Sequence, residues 1–509
     1  MHHVNTVRPA FQKLMPLRVL ALAALVVLLA MPGRASGQVS PPPVRRPNIV
    51  FILADDLGWR DLACFGSTFY ETPNLDHLAR QGMRFTNAYA ACNVCSPTRA
   101  SIMTGQYPAR LHLTDWLPGR PDSPAQKMLR PAILQHLPKD QVTLAAALHE
   151  GGYTTGFMGK WHLGPAEFFP EKFGFDLNIA GCSFGQPPSY FSPYRIPTIA
   201  DGPPGEYLTD RLGAEAAKFI HTNKDRPFFL YLAQYAVHNP QQAKNPIIDR
   251  YRAKTLASPS AAPEMKLDLG HQVRQVQNRP VYAAMIQSLD ESIGQVMQAL
   301  IDAGVDQNTI IIFTSDNGGL STSEGLPTSN VPLRMGKGWN YEGGIREPLI
   351  IRWPGVAKAG AVCDHPMIST DYYPTLLDAA ALPARPKQHL DGVSIVPLLK
   401  GNTIPDRPLF WHYPHYSNQG GGPSGAIRVG QYKLIETYED NRAELYDLSA
   451  DPGETHDLSP EMPERAAGIL GRLHDWLKSV NAQMPTPNPN YAGPTPGPQT
   501  STQTLLLDD

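Results

Sequence analysis

The sequence predicts an α/β protein: a large, doubly wound mixed sheet flanked by helices, followed by a smaller antiparallel sheet with one helix packed on it. Three observations predict it. Unbroken apolar runs of strand length recur through most of the chain, as parallel strands buried on both faces require. Helical patterns with apolar residues three and four apart separate them. From about Arg385 the runs shorten and turn signals crowd in.

Taken in order, residues 1–37 have the three-part layout of a secretory signal. Arg8, Lys13 and Arg18 precede the apolar run Val19 to Ala30, and small residues Ala35 and Gly37 follow. The run is short for a membrane span and no cysteine follows it, so we expect an exported, periplasmic or secreted protein with no stable membrane anchor. A Pro-rich linker covers 38–46. The first apolar run, Ile49 to Ala54, ends in Asp55 and Asp56. Similar runs lie within Thr154 to His162, Pro227 to His238, Asn308 to Asn317 and Glu347 to Gly355. Between them, Thr143 to Gly152 and Tyr282 to Gly304 read as helices closed by glycine. These elements make a catalytic-sized domain over 47–384. In a second region, 385–490, the segments Pro408 to Tyr416, Ala426 to Glu439 and Glu444 to Glu454 read as short strands, and Pro463 to Val480 as a helix. The Pro- and Thr-rich end, 491–509, reads as a disordered tail.

Charge is balanced, with 44 basic and 46 acidic residues, so no nucleic-acid footprint is present in the totals. Five cysteines, Cys64, Cys92, Cys95, Cys182 and Cys363, are too few for a disulfide scaffold in 509 residues. Their odd number leaves at least one unpaired within the chain, and Cys95 is the one we expect. A Cys92–Cys95 bridge is the competing reading, strained by its short spacing.

In an open parallel sheet, ligands bind outside the carboxyl ends of the strands. Four predicted strands end in polar residues there: Asp55 and Asp56, Lys160 and His162, His238, and Asp316 and Asn317. The acids and the amide form an oxygen-only set, which suits a hard cation; we infer Ca²⁺ ahead of Mg²⁺, which keeps more of its waters. Alternatively each pair caps the helix or turn that follows. Lys160 and His162, two residues apart, point to one face if the segment is extended. Lys337 lies in a Gly-rich loop that can bring an ammonium to an anion.

The segment "CSPTR" (Cys95 to Arg99) has the Cys-x-Pro-x-Arg pattern of the type I sulfatases. With "NIVFILADD" before it, and "SIMTGQYPAR", "GKWHLG", "SDNGG", "KGWNYEGGIREP" and "ELYDLSADPGETHDL" after it in order, the chain resembles formylglycine-dependent arylsulfatases of the alkaline phosphatase superfamily from about Pro47 to Leu458. No matched position departs from the pattern. The resemblance implies an alkaline phosphatase-like fold, hydrolysis of sulfate monoesters, and oxidation of Cys95 to Cα-formylglycine by a formylglycine-generating maturation enzyme. It implies that Asp55, Asp56, Asp316, Asn317 and residue 95 hold one calcium ion. Arg99 would hold the formylglycine hydrate, Lys160 and Lys337 would grip sulfate oxygens, and His162 and His238 would handle protons. We assign His162 as base and His238 as leaving-group acid. Arg99, four residues after Cys95, shares a helix face with it, and that helix would turn its N-terminus to an anion.

Two other functions compete. A phosphatase or phosphodiesterase of the same superfamily would use two zinc ions, but Asp316-Asn317 stands where such enzymes would tend to have Asp-His. A sulfated-glycan-binding protein without turnover would be expected to have lost the nucleophile or metal ligands. For the substrate we expect a sulfated carbohydrate, a galactose-type or N-acetylhexosamine sulfate at a chain end. The pocket walls would come from Leu111 to Arg120 and from the region of His412 and His415, with Trp116 and Trp411 placed to stack on a sugar or to serve as core.

Overall fold

The computed structural model describes residues 46–493. The signal segment, all of the linker but its last residue, and the tail from 494 on lie outside the described residues. Among the described residues no helix is long and apolar enough to cross a membrane.

The large sheet has nine strands: β1 (Asn48–Ala54), β2 (Met83–Tyr89), β3 (Thr154–Gly159), β4 (Leu177–Ile179), β5 (Phe228–Ala233), β6 (Thr309–Ser315), β7 (Arg346–Arg352), β8 (Val362–Cys363) and β9 (Met367–Ile368). Their order is β8-β2-β7-β6-β1-β5-β3-β4, with β9 also on β2. From β6 through β4 every pairing is parallel. β7 is antiparallel to both β6 and β2. The run Glu347 to Gly355, read as one more parallel strand, is therefore reversed. Burial on both faces gave β7 its unbroken apolar character regardless of direction. β2 was not read from the sequence, because Arg84, Thr86 and Asn87 interrupt its apolar residues and leave it only partly buried.

The sheet is wound on both faces. In β1, Val50, Ile52 and Ala54 pack with residues of the helices Pro73–Gln81, Leu208–Asn223 and Pro280–Asp302. Ile49, Phe51 and Leu53 point the other way, toward the helices Cys95–Thr104, Leu144–Glu150 and Tyr372–Ala379. A strand with period-2 side chains and a helix layer on each side has no solvent face, which is why the run is apolar throughout. The helix Leu144–Glu150 starts where the sequence places it: the Thr143 hydroxyl accepts the Ala146 N–H at 3.1 Å, a cap worth about 1 kcal/mol.

The smaller sheet is antiparallel, β10 (Leu409–Tyr413), β11 (Ser424–Val429), β12 (Tyr432–Thr437) and β13 (Arg442–Asp447), in chain order. Gly430, at φ +59, makes the tight turn between β11 and β12. The helix Pro463–Ser479 covers this sheet with Ile469, Leu473 and Trp476. A buried ionic cluster ties it to the larger sheet. Lys433 Nζ on β12 donates to Glu342 Oε1 at 3.0 Å and to Glu454 Oε1 at 2.8 Å. Arg346 Nε and the Tyr89 hydroxyl both donate to Glu342 Oε2, at 2.6 and 2.8 Å.

All five cysteines are free, so the Cys92–Cys95 bridge is not formed.

Candidate active site

The carboxyl ends of β1, β3, β5 and β6 lead into one buried constellation. Lys160 Nζ, just past β3, donates to both oxygens of Asp55 at 2.9 and 2.7 Å. Lys337 Nζ reaches both oxygens of Asp56, at 2.8 and 2.7 Å. Arg99 Nε donates to Asp316 Oδ2 at 2.8 Å, and its Nη1 to the Lys160 carbonyl. The Asn317 amide donates to Asp56 Oδ1 at 2.8 Å, and the Asp56 N–H to Asp316 Oδ1 at 3.3 Å.

Lys160 and His162 do not share the face of an extended segment. The strand ends at Gly159, whose φ of +102 and close approach to the Ala233 carbonyl, 1.8 Å from where a Cβ would sit, exclude any other residue. His162 then adopts φ +57, so Lys160 turns back to Asp55 while His162 turns toward Cys95. Asp56 also lies at positive φ, +63. Two such side chains in the left-handed region cost about 1–3 kcal/mol each, a strain found where a site demands a particular aim.

Cys95 is the first residue of its helix, and Val94 supplies no side-chain cap. The helix therefore presents its positive end to the cavity beside residue 95. Cys95 Sγ lies 3.4 Å from His162 Nδ1. His162 Nε2 is 2.7 Å from the Leu117 carbonyl, an acceptor only, so Nε2 carries the hydrogen and Nδ1 presents its lone pair to residue 95. Burial, then Lys160, drives the His162 pKa far below its ordinary value and keeps the ring neutral. Burial also raises the Cys95 thiol pKa, against the pull of Lys160 and Lys337. His238 is fixed the same way: Nδ1 faces the Asn239 carbonyl at 3.0 Å, and Nε2 lies 3.2 Å from Lys337 Nζ and so accepts from it. Burial brings the His238 pKa down to about 3.

The donor set fits a hard cation. Asp55, Asp56, Asp316 and Asn317 are all within this cluster and almost wholly buried. The Asn317 Oδ1 is buried with no hydrogen-bond partner, a cost of about 1–3 kcal/mol that an oxygen-seeking ion would remove. Asp55, Asp56 and His238 each bring a ligand atom within 4.8 Å of the others. His238, expected only to move protons, thus stands beside the acids, with Lys337 engaging its Nε2.

A cavity of about 430 Å³ opens onto this cluster, with Cys95, His162, His238 and Lys337 in its lining. Arg99 and Lys160 do not line it: they are buried behind, holding the acids. Trp116, Leu117 and Pro118 form part of the wall, as the loop Leu111 to Arg120 was expected to do. The region around His412 and His415 contributes differently from expectation. Trp411 is core: its Nε1 donates to the Ala90 carbonyl at 2.8 Å and its ring meets Tyr89 edge-on. His412 is bonded to Tyr438 and the Gln483 carbonyl, and His415 to Thr114, none of them in the wall. Asn418 and Gln419, a few residues on, line the cavity instead.

The sulfatase family model matches residues 47–382. This chain belongs to that family. It is a type I sulfatase, a sulfuric ester hydrolase, and the family described as N-sulphoglucosamine sulphohydrolase, C-terminal, matches residues 335–483. The sulfatase is 33% identical to human arylsulfatase A over 86% of this chain and 88% of that one. It is 33% identical to a sulfatase of Formosa agariphila, over 89% and 93% respectively. Human N-acetylgalactosamine-6-sulfatase is 33% identical over 78% of this chain and 72% of its own length. Among solved structures, Ps i-CgsB in complex with k-i-k-neocarrahexaose superposes with a TM-score of 0.70 at 30% identity, covering 85% of this chain and 93% of that one. The neighbours carry the same alkaline phosphatase-like fold.

Three parts of the sulfatase's cavity had no sequence signal: Ser183 to Gln186, Glu324, and Asn418 with Gln419. They sit on loops that no periodicity marks, and tertiary packing alone brings them together.

Proposed function

We propose that the protein removes sulfate from a sulfated carbohydrate, using formylglycine at position 95 and a bound calcium ion. The contact of residue 95 with the bare Nδ1 of His162 carries this reading. As encoded, the buried thiol with its raised pKa is a poor nucleophile, yet a base aims at it from 3.4 Å. A hydrated formylglycine there would supply one hydroxyl as the nucleophile toward sulfur and a second whose proton His162 could take to release sulfate. Asp55, Asp56, Asp316 and Asn317, with residue 95 beside them, would hold calcium, which stabilises charge on sulfate oxygens as a Lewis acid.

The chain's own groups divide the remaining work. His162 Nδ1 accepts the proton of residue 95, and its Nε2–H stays on the Leu117 carbonyl. The Lys337 ammonium and the helix N-terminus offset the charge that grows as the sulfur–oxygen bond breaks. Lys337 donates to His238 Nε2, so this pair holds the proton that the leaving oxygen takes. Arg99 and Lys160 act from behind, fixing Asp316 and Asp55. Trp116 in the wall is placed to stack on a sugar ring.

The substrate proposed is a galactose-type or N-acetylhexosamine sulfate at a chain end, supported by the similarity to N-acetylgalactosamine-6-sulfatases. The signal-like segment 1–37 supports export to the periplasm or medium, and the Cys95 to Arg99 motif supports maturation by a formylglycine-generating enzyme. The test is mass spectrometry of the tryptic peptide Phe85 to Arg99 from natively matured protein, with turnover of N-acetylgalactosamine 6-sulfate and galactose 6-sulfate. Formylglycine with turnover is expected. An unmodified cysteine in active protein would overturn the mechanism.

A further inference from the structure

One charged group in the cavity wall has no part in the hydrolysis outlined above. Glu324 lies on the loop between Asn317 and Lys337, on a backbone at φ +54, and lines the cavity that receives an anion. A carboxylate in such a place needs a reason, because it opposes the binding of the substrate's own sulfate.

Glu324 is held but not neutralised by its partners. Gln419 Nε2 donates to Oε1, and Asn239 Nδ2 lies 3.3 Å from Oε2. Both are neutral amides, and both come from other parts of the chain, one near His238 and one in the small-sheet region. The carboxylate is therefore aimed by partners that bring no countercharge.

The charges in the wall are few. Among the described residues, Lys337 and Glu324 are the only lysine, arginine or carboxylate residues lining it. The wall also offers Trp116, Phe184, Gln186, Asn418 and Gln419, which are aromatic or amide. A second sulfate or a carboxylate on the same ring would find no cation there and would face Glu324. A neutral ring would instead offer hydroxyl donors, which an ionised carboxylate accepts well.

We infer that Glu324 is a specificity residue that accepts hydroxyls of the sulfated ring and turns away rings with a second anionic group; this rests on the sulfate-ester reading of the cavity. Like charges a few ångströms apart in a half-open site are enough to change relative rates about tenfold.

The test uses full-length, matured enzyme and two synthetic esters, 4-nitrophenyl sulfates bearing either a ring carboxylate or the matching carboxamide. Comparing their kcat/KM ratio between variants cancels intrinsic reactivity. In wild type the carboxamide ester is favoured, and Glu324→Gln narrows the ratio about tenfold while Glu324→Asp keeps it. Added salt narrows the wild-type ratio and leaves that of Glu324→Gln unchanged. A ratio unmoved by Glu324→Gln, or moved equally by Glu324→Asp, would overturn the inference while leaving the sulfatase reading intact. No turnover of either ester by matured wild type would overturn the sulfate-ester reading and the inference with it.

Discussion

Two clusters of buried charge lie in this molecule, and they are built alike. At the strand ends, Asp55, Asp56 and Asp316 meet Lys160, Lys337 and Arg99; at the junction of the two sheets, Glu342 and Glu454 meet Lys433 and Arg346. The difference lies in what is left over. Among the described residues, no buried side-chain atom of Glu342, Glu454, Lys433 or Arg346 lacks a hydrogen-bond partner, whereas the strand-end cluster strands the Asn317 oxygen beside the cavity that Cys95, His238 and Lys337 line. A buried ionic cluster that is complete holds parts together; one with acceptors to spare beside a cavity is arranged for a ligand.

The contrast breaks most sharply at the two lysines. Lys433→Met leaves the buried Glu454 without its cation and Glu342 with Arg346 alone, and is expected to destabilise the fold by about 3–5 kcal/mol in urea unfolding, with activity per folded molecule within about twofold of wild type. Lys337→Ala is expected to do the reverse. It lowers kcat/KM about 10²- to 10³-fold, roughly 3–4 kcal/mol at the transition state, while the melting temperature in calcium stays near that of wild type.

Calcium sharpens the comparison further. At a hundred times its Kd it should stabilise the wild type by about 2.7 kcal/mol against a chelator-treated control in calorimetry. Asn317→Ala should lose much of that gain, and Lys433→Met should retain it on a lower baseline. The smallest expected effect is a pH dependence at the junction. Burial raises the Glu454 pKa, with Glu342 adding to it and Lys433 opposing. A carboxyl with a raised folded-state pKa lends stability below its unfolded pKa and loses it as pH rises through the folded value. Stability should thus fall between the ordinary carboxylate range and neutrality, and Glu454→Gln should flatten that slope in unfolding measured across pH.

The parts legible in the sequence are those whose physics is local. β1, β3, β5 and β6 announced themselves as apolar runs because two helix layers bury both faces, and their polar ends marked the site for the same reason. Direction was not legible: β7 is as buried as its parallel neighbours, and nothing in Leu349, Ile350 and Ile351 records which way the chain runs. The expected same-face pairing of Lys160 and His162 failed because the left-handed turn at Gly159 and His162 depends on the neighbouring Ala233 carbonyl. Trp411, legible as either sugar platform or core, is core, and only the fold decides it, since its indole N–H is satisfied by a carbonyl as distant in sequence as that of Ala90. Gln419 and Glu324 meet across 95 residues, and no spacing rule reaches that far.

The helix that begins at Cys95 also sets a timetable. All ten of its residues are buried, and a cavity of about 430 Å³ admits a sugar but not another protein. The maturation enzyme proposed above would therefore have to reach Cys95 while the chain is still open. Gln419, which helps close the cavity, leaves the ribosome long after Cys95, on the order of tens of seconds later at about 5–20 residues per second. On the proposed maturation, that interval would set the time scale on which modification competes with folding, and a chain that folded first would keep its cysteine.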